Sequence, residues 1–174
     1  MANVVIVSDM VKGYLEKGHA LYCGRAARGI IPNIQRLLAR ELAAGSTILY
    51  VNDEHTPDDE KFNMLPQHCI AGSDEIEIIP ELAEYPGEII SKTRYSAFWQ
   101  TTLDEKLGKL KPDRLIICGV CTHICVLFTA ADAMYRGYDI EIQVDCVASY
   151  DEDGHKFALK HMQKLFGAHL TGLE

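Results

Sequence analysis

The stretch RLIICGVCTHICV, residues 114–126, joins an uninterrupted apolar run to a glycine turn and then to a helical segment. The run 114–118 has the length and composition of a strand that is buried on both faces, as strands of parallel sheets are. Gly119 opens the turn, and a helix is predicted over 123–136, ending before a typical C-terminal cap residue, Gly137. The stretch therefore predicts a strand–turn–helix unit of a parallel sheet.

The rest of the chain repeats this alternation of short apolar runs and longer amphipathic segments. Strands are predicted at residues 4–7, 47–51, 88–91 and 140–144, and helices at 30–44, 101–110 and 153–166. This order favours a parallel sheet covered by helices on both faces. The expected fold class is α/β: a single domain over residues 1–174, built as a three-layer α/β/α sandwich with a mostly parallel, Rossmann-like sheet. The polar loop 52–75 is longer than most connections, and such loops are usually functional or disordered.

Composition narrows the range of partners. With 174 residues, 48% of them hydrophobic, the chain suits one core that buries roughly 70% of its unfolded surface. The 25 acidic residues outnumber the 17 basic ones, and no basic run is dense enough to neutralise a phosphate backbone, which argues against nucleic acid. No window reaches the roughly 18 apolar residues of a membrane span, so we expect a cytoplasmic protein with no membrane partner. The six cysteines are expected to be free thiols.

Reactive side chains follow four of the predicted strands. Asp9 follows the first strand, Asp53 and His55 follow the second, Lys92 follows the third, and the segment 119–125 follows the fourth. Open parallel sheets bind ligands outside the carboxyl ends of their strands, so these groups are expected to share one site. Each also has a purely structural explanation, since Asp9 could cap a loop and Lys92 could end a strand in solvent.

Cys125 is the candidate nucleophile. It is expected in the first turn of the helix 123–136, where the helix dipole and free N–H groups would lower the pKa of its thiol. The neighbouring N–H groups are candidate donors to an oxyanion, Asp9 is a candidate base, and Lys92 could favour the thiolate. The alternative is that Cys125 is only a small buried hydrophobic residue.

Cys118 and Cys121 have the C-x-x-C spacing of a redox dithiol or of half a zinc site. Against this reading, Cys118 completes an apolar strand, and no second cysteine pair is available to finish a four-cysteine zinc site. The redox alternative predicts a reversible Cys118–Cys121 disulfide.

Taken together, these motifs resemble the isochorismatase-like cysteine hydrolases. The matching residues are Asp9, Lys92 with RYSAF at 94–98, and GVCTHICV at 119–126 with TAADA at 129–133. Within that superfamily, the loop with DEH at 53–55 and PQHCIAG at 66–72 resembles that of the nicotinamidases. The resemblance extends from about residue 3 to residue 170.

The resemblance implies a catalytic triad and an amidohydrolase activity. Asp9 would be the base, Lys92 the positioning cation and Cys125 the nucleophile. Cys125 would attack the carboxamide of nicotinamide, Asp9 would pass the thiol proton to the departing ammonia, and water would hydrolyse the thioester to nicotinate, in pyridine-nucleotide (NAD) salvage. The family also implies a non-proline cis peptide at Val120–Cys121 and an oxyanion hole formed by the backbone N–H groups of Cys121 and Cys125.

The nicotinamidase resemblance further implies one divalent metal ion. Asp53, His55 and His68 are ligand types for zinc or iron, and three ligands leave positions open for water and for the pyridine nitrogen of the substrate. Zn²⁺ is expected first, and Fe²⁺ or Mn²⁺ would also suit this set. The candidate fourth ligand is Glu60, with Asp59 behind it. The alternative is a polar loop with two incidental histidines.

The family's substrate pocket maps onto Tyr14, Leu65, Trp99 and Ile124, where an aromatic ring could stack on Tyr14 or Trp99. Ordinary packing is the alternative for both aromatic residues. His123 stands where many members carry an acidic residue, and it could support the thiolate, contact substrate or face solvent.

Three other readings of the whole chain stay open. It could be a relative that acts on another small amide, an N-carbamoyl compound or isochorismate, and those relatives generally lack the metal ligands. It could also be a non-catalytic binding module, or the redox protein described above. Relatives often assemble, so a homo-oligomer is expected.

Overall fold

The computed structural model describes residues 2–172, in which six strands form one sheet in the order β3-β2-β1-β4-β5-β6. The strands are β1 (Val4–Ser8), β2 (Thr47–Asp53), β3 (Glu88–Lys92), β4 (Leu115–Val120), β5 (Ile140–Ala148) and β6 (His169–Thr171). Every neighbouring pair is parallel. The predicted α/β class with a mostly parallel sheet is confirmed.

Helices cover both faces of this sheet. They are α1 (Lys12–Leu15), α2 (Gly24–Gly29), α3 (Ile31–Ala43), α4 (Leu103–Leu110), α5 (Leu127–Tyr135) and α6 (Glu152–Leu165). Val5 and Val7 of β1 belong to the core cluster shared with α1, α2 and α3, whereas Val4 and Ile6 belong to the cluster shared with α4, α5 and α6. This alternation along one strand confirms the three layers. Among the helices of residues 2–172, none has the length and apolar character needed to cross a bilayer.

The short elements are the ones that the sequence did not predict. The helices α1 and α2 have four and six residues, which is too short for a helical period to emerge, and β6 has only three. The expected helix 123–136 begins instead with a π-helical turn, Thr122–Val126, before α5. The long connection between β2 and β3 contains three 3₁₀ turns, Glu60–Asn63, Asp74–Ile76 and Pro80–Leu82.

The strand order places the candidate site. From the central β1, the chain continues to β2 on one side and later to β4 on the other, and a crevice forms at such a reversal. The backbones of β1 and β4 approach closely there, because a Cβ on Gly119 would lie 2.1 Å from the carbonyl oxygen of Ser8. Only glycine fits this position, whose φ is +108°. The residues that follow β1 and β4 are thereby brought side by side.

Candidate active site

A cavity of about 350 Å³ opens at the carboxyl ends of β1, β2 and β4. Most of the residues expected in the site lie on its walls: Asp9, Tyr14, Asp53, Leu65, His68, Cys121, Ile124 and Cys125. The walls also include residues that sequence reasoning missed, namely Tyr22, Cys23, Lys61, Tyr95 and Tyr150. Tyr95 lies in the 94–98 motif and could have been found there, but Tyr22 and Cys23 precede α2, a helix too short to predict.

Lys92 lies at the centre of the buried polar cluster below this cavity. Its Nζ is 3.1 Å from Asp9 Oδ2 and donates to Cys125 Sγ at 3.5 Å. The same Nζ donates to Asp53 Oδ1 at 2.5 Å. The Asp9 carboxylate also lies close enough to the Cys125 thiol to raise the pKa of that thiol. The structure therefore brings the three triad residues together and links them to Asp53.

The backbone holds Asp9 in place. Asp9 is the first residue after β1 and has a φ of +55°, a left-handed conformation that is uncommon for non-glycine residues. Its Oδ1 accepts from the Asp53 N–H at 2.8 Å, and its Oδ2 accepts from Ser8 Oγ at 3.0 Å. The carboxylate is thus fixed before any substrate binds.

Burial and charge act in opposite directions on this cluster. Burial alone would lower the pKa of Lys92, but Asp53 and Asp9 outweigh it and hold that pKa well above its usual value. Burial alone would raise the pKa of Asp53, but the Lys92 ammonium holds it well below its usual range. Lys92 and Asp53 therefore form a buried, charged pair.

The pKa of Cys125 differs from the expectation. Burial raises it well above the usual value, Lys92 opposes the rise, and the carboxylates of Asp9 and Asp53 add to it. The predicted lowering was wrong because Cys125 lies buried in a π-helical turn beside two carboxylates, and these effects exceed that of the helix dipole. Burial also raises the pKa of Asp9, which equips it to accept a proton. The resting nucleophile is therefore a thiol beside a base.

The turn before Cys125 has the geometry that the resemblance implied. The Val120–Cys121 peptide is cis, and both Cys121 and Cys125 reach the cavity wall. His123 does not line the cavity: its Nδ1 is 2.7 Å from Ser149 Oγ, and its ring contacts Tyr150 edge-on. Both of these contacts are with residues that follow β5.

The structure does not pair the two cysteines of the C-x-x-C motif. Cys118 is fully buried in the core, and burial raises its pKa well above the usual value. The Sγ of Cys121 lies 3.5 Å from the Sγ of Cys23 instead, and all six cysteines are free. The contact with Cys23 depends on the fold alone, since 98 residues separate the two.

Asp53, His55 and His68 form a group whose ligand atoms all lie within 4.8 Å of one another. Asp53 Oδ2 is 3.6 Å from His55 Nε2 and 3.8 Å from His68 Nε2. Both Nε2 atoms are buried and lack a hydrogen-bond partner, which is uncommon for buried polar atoms. The opposite ring nitrogens are held by Asp59 Oδ2 at 2.9 Å and the Pro66 carbonyl at 2.7 Å, and histidines that bind metals in proteins are usually oriented by such hydrogen bonds. These residues fit a divalent metal ion.

The expected fourth ligand, Glu60, does not join this group. Asp59 caps the 3₁₀ turn Glu60–Asn63 by accepting from the Lys61 N–H, and the turn leaves Glu60 exposed while Lys61 is buried. Asp59 itself contacts Arg94 as well as His55. Although burial opposes it, these hydrogen bonds lower the pKa of Asp59 to about 2. Asp59 therefore orients a candidate ligand and is not one of the group.

Of the four residues predicted for the substrate pocket, three line the cavity and one does not. Tyr14, Leu65 and Ile124 line the cavity, and the Tyr14 hydroxyl donates to Asp53 Oδ2 at 2.5 Å. Trp99 does not line it and is 52% exposed. The reason is local, because Phe98 takes the core position and the backbone turns outward at Trp99, whose N–H bonds to the Ser96 carbonyl.

Comparisons with known proteins agree with this geometry. The Isochorismatase domain family matches residues 3–174. The crystal structure of the nicotinamidase PncA from Bacillus subtilis superposes with a TM-score of 0.92 and 32% identity, covering 98% of this chain and 99% of that one. The crystal structure of the pyrazinamidase of Pyrococcus horikoshii in complex with zinc superposes with a TM-score of 0.91 and 27% identity, covering 99% of this chain and 100% of that one.

A third structure is the N-carbamoylsarcosine amidase from Thermoplasma acidophilum, with a TM-score of 0.88 and 29% identity over 99% of this chain and 96% of that one. These likenesses extend over nearly the full length of both proteins in each pair, and they include enzymes with different substrates. The chain belongs to the isochorismatase family of hydrolases.

Proposed function

We propose that this protein is a nicotinamidase, which hydrolyses nicotinamide to nicotinate and ammonia through a thioester on Cys125. The observation that carries the proposal is the position of the Asp53, His55 and His68 group, which adjoins the Asp9, Lys92 and Cys125 cluster through the Lys92–Asp53 contact. The similarity to the nicotinamidase of Bacillus subtilis supports the same substrate.

Asp9 acts as the base in the first half of the reaction. Its carboxylate takes the Cys125 proton as Sγ attacks the carboxamide carbon, so a free thiolate need not accumulate at rest. The carbonyl oxygen gains negative charge, which the backbone N–H groups of Cys121 and Cys125 stabilise. Asp9 then donates the proton to the departing nitrogen, and ammonia leaves.

The second half of the reaction uses the same groups in reverse. A water molecule gives a proton to Asp9 and attacks the thioester carbon, the C–S bond breaks, and nicotinate is released. The proton returns from Asp9 to Cys125. Lys92 stays between the two side chains throughout, 3.1 Å from Asp9 Oδ2 and 3.5 Å from Cys125 Sγ, and its charge holds both in position.

The loop after β2 positions the ring of the substrate. A divalent ion held by Asp53, His55 and His68 would supply an open coordination position for a ring nitrogen. Zinc is the first candidate because the set is one carboxylate and two imidazoles, and Fe²⁺ or Mn²⁺ would also suit it. The remaining walls include Tyr14, Tyr95 and Ile124, whose flat and apolar surfaces fit an aromatic ring.

A second candidate is a small amide of another kind, such as an N-carbamoyl compound, or isochorismate. The likeness to N-carbamoylsarcosine amidase, at 29% identity, favours the N-carbamoyl class. The two candidates differ in their need for metal, because a substrate without a ring nitrogen has no ligand atom of that kind to offer.

The experiment compares ammonia release from nicotinamide and from N-carbamoylsarcosine, with nicotinate identified as the second product. We expect turnover of nicotinamide, and we expect His68→Ala to lose both bound metal and activity. His161→Ala is the matched control, since His161 stacks on Phe157 of α6 away from the cavity. Turnover confined to the carbamoyl compound, or full activity in His68→Ala, would contradict the proposal.

The proposal includes a cytoplasmic compartment and a homo-oligomer. Six free cysteines suit a reducing compartment. Aromatic side chains that are exposed in the single chain, such as Phe128 and Tyr135, would provide apolar contact area between copies. Light scattering on the purified protein measures its molar mass in solution, and the mass of a monomer at all concentrations would contradict the proposed homo-oligomer.

A further inference from the structure

A second ammonium group lies against the candidate metal ligands. Lys61 Nζ donates to Asp53 Oδ2 at 3.3 Å, and the side chain is buried although it carries a charge. The same oxygen is the one that faces His55 Nε2 and His68 Nε2. Lys61 therefore contacts the carboxylate oxygen that a metal ion in this group would bind.

The local structure forces this contact. Asp59 caps the 3₁₀ turn, which directs Lys61 toward the cavity while the neighbouring Glu60 is exposed. Lys61 is a cavity-lining residue, and its Nζ lies 4.9 Å from the centre of the Tyr95 ring. The ammonium thus has two partners within reach, a carboxylate and an aromatic face.

The charges around Asp53 make this contact significant for a metal. Asp53 Oδ1 already accepts from Lys92 at 2.5 Å, so two ammonium groups share one carboxylate. A divalent ion placed among Asp53, His55 and His68 would face both of them, and like charges separated by a few ångströms repel strongly in a buried site. Lys92 is required by the triad, whereas nothing in the triad uses Lys61.

We propose that Lys61 is an internal competitor for the metal, whose ammonium occupies Asp53 Oδ2 in the metal-free protein and weakens metal binding. This inference rests on the metal site of the proposed function but not on the identity of the amide. When the ion binds, the ammonium leaves Asp53 Oδ2 and keeps its place over the Tyr95 ring. Lys61 affects metal binding through its contact with Asp53.

The test measures the dissociation constant for Zn²⁺ by competition with a chromogenic chelator, at one pH and one ionic strength. Lys61→Met keeps the length of the side chain and removes its charge, so we expect Zn²⁺ to bind at least about tenfold more tightly. Lys61→Arg keeps the charge and should stay near the wild-type value. Lys109→Met changes the net charge equally but lies exposed on α4, paired with Glu105, and should leave the constant unchanged.

Thermal unfolding provides a second readout that does not depend on the chelator. The rise in Tm on adding Zn²⁺ should be larger for Lys61→Met than for the wild type, because tighter binding to the folded state stabilises it more. Equal or weaker zinc binding in Lys61→Met, or no binding in either protein, would overturn the proposal. Tighter binding in a protein that ignores nicotinamide would leave Lys61 as proposed and reject the nicotinamidase function.

Discussion

The two halves of the candidate site are built differently. Asp9 and Lys92 lie at strand ends and Cys125 lies in the π-helical turn after β4, and the Lys92 ammonium contacts the other two side chains. His55 and His68 lie in the loop after β2, where the Nε2 atoms of both have no hydrogen-bond partner. One half is complete without a ligand, and the other has unsatisfied atoms that a ligand would satisfy. The strands thus provide the chemistry, and the loop provides a place for an added group.

The largest effect is expected from removing the nucleophile. Cys125→Ala should lower kcat/KM for nicotinamide by at least about a thousandfold, because among residues 2–172 Cys125 is the thiol that accepts a hydrogen bond from Lys92. Zinc affinity should stay near the wild-type value, since the ligands lie in the other half. Cys146→Ala is the control, as Cys146 is buried on β5 away from the cavity walls. Retained activity in Cys125→Ala would remove the triad from the mechanism.

The next largest loss of activity is expected from replacing the base, Asp9. Asp9→Asn should lower kcat by about a hundredfold to ten-thousandfold, the usual contribution of a general acid–base group. The pKa of Cys125 should fall at the same time, because the Asp9 carboxylate raises it. The rate of alkylation by iodoacetamide, measured against pH, should therefore rise at lower pH in the variant than in the wild type. An unshifted alkylation profile would show that Asp9 does not act on the thiol.

Asp9 should also affect stability, with a sign fixed by its pKa. A carboxyl whose pKa is raised above 3.8 in the folded chain favours the protonated form, so its ionised form opposes folding at neutral pH. Asp9→Asn should then unfold at higher urea concentration than the wild type at pH 7. The difference should disappear below about pH 4, where the carboxyl is protonated in both states. A variant less stable than the wild type at pH 7 would contradict this reading.

A smaller effect, on metal affinity, is expected from changing Asp59, which orients the candidate ligand His55. Asp59→Asn weakens the contact that holds His55 Nδ1, and the Zn²⁺ dissociation constant should rise about tenfold to a hundredfold. Glu60→Gln is the matched control, because Glu60 is the exposed neighbour on the same turn. An equal rise in both variants would mean that the charge of the loop matters and the contact does not.

The smallest effect is expected at Trp99. Trp99→Leu should leave kcat/KM for nicotinamide within about twofold of the wild type, because the ring is 52% exposed and outside the cavity. Tyr95→Leu should raise KM, since Tyr95 lines the cavity. A loss of activity in Trp99→Leu, together with an unchanged KM in Tyr95→Leu, would mean that the ring of the substrate stacks on Trp99.

The strand-end half could be predicted from the sequence, and the loop half only in part. Asp9 and Lys92 stand directly at the ends of apolar runs, so the parallel register alone brings them together. Glu60 and Lys61 are adjacent, and which of them is buried depends on a single 3₁₀ turn that no periodicity reveals. The pKa of Cys125 was mispredicted for a similar reason, because burial and two carboxylates are tertiary effects.

The most direct test of the link between the two halves is ammonia release from nicotinamide before and after chelation, with bound metal quantified in the same sample. The account predicts turnover with about one divalent ion per chain, loss of activity on chelation and recovery on adding Zn²⁺. Turnover that continues unchanged in the metal-free protein would contradict a role in the reaction for a metal ion held by Asp53, His55 and His68. No turnover in the metal-loaded protein would contradict the nicotinamidase function itself.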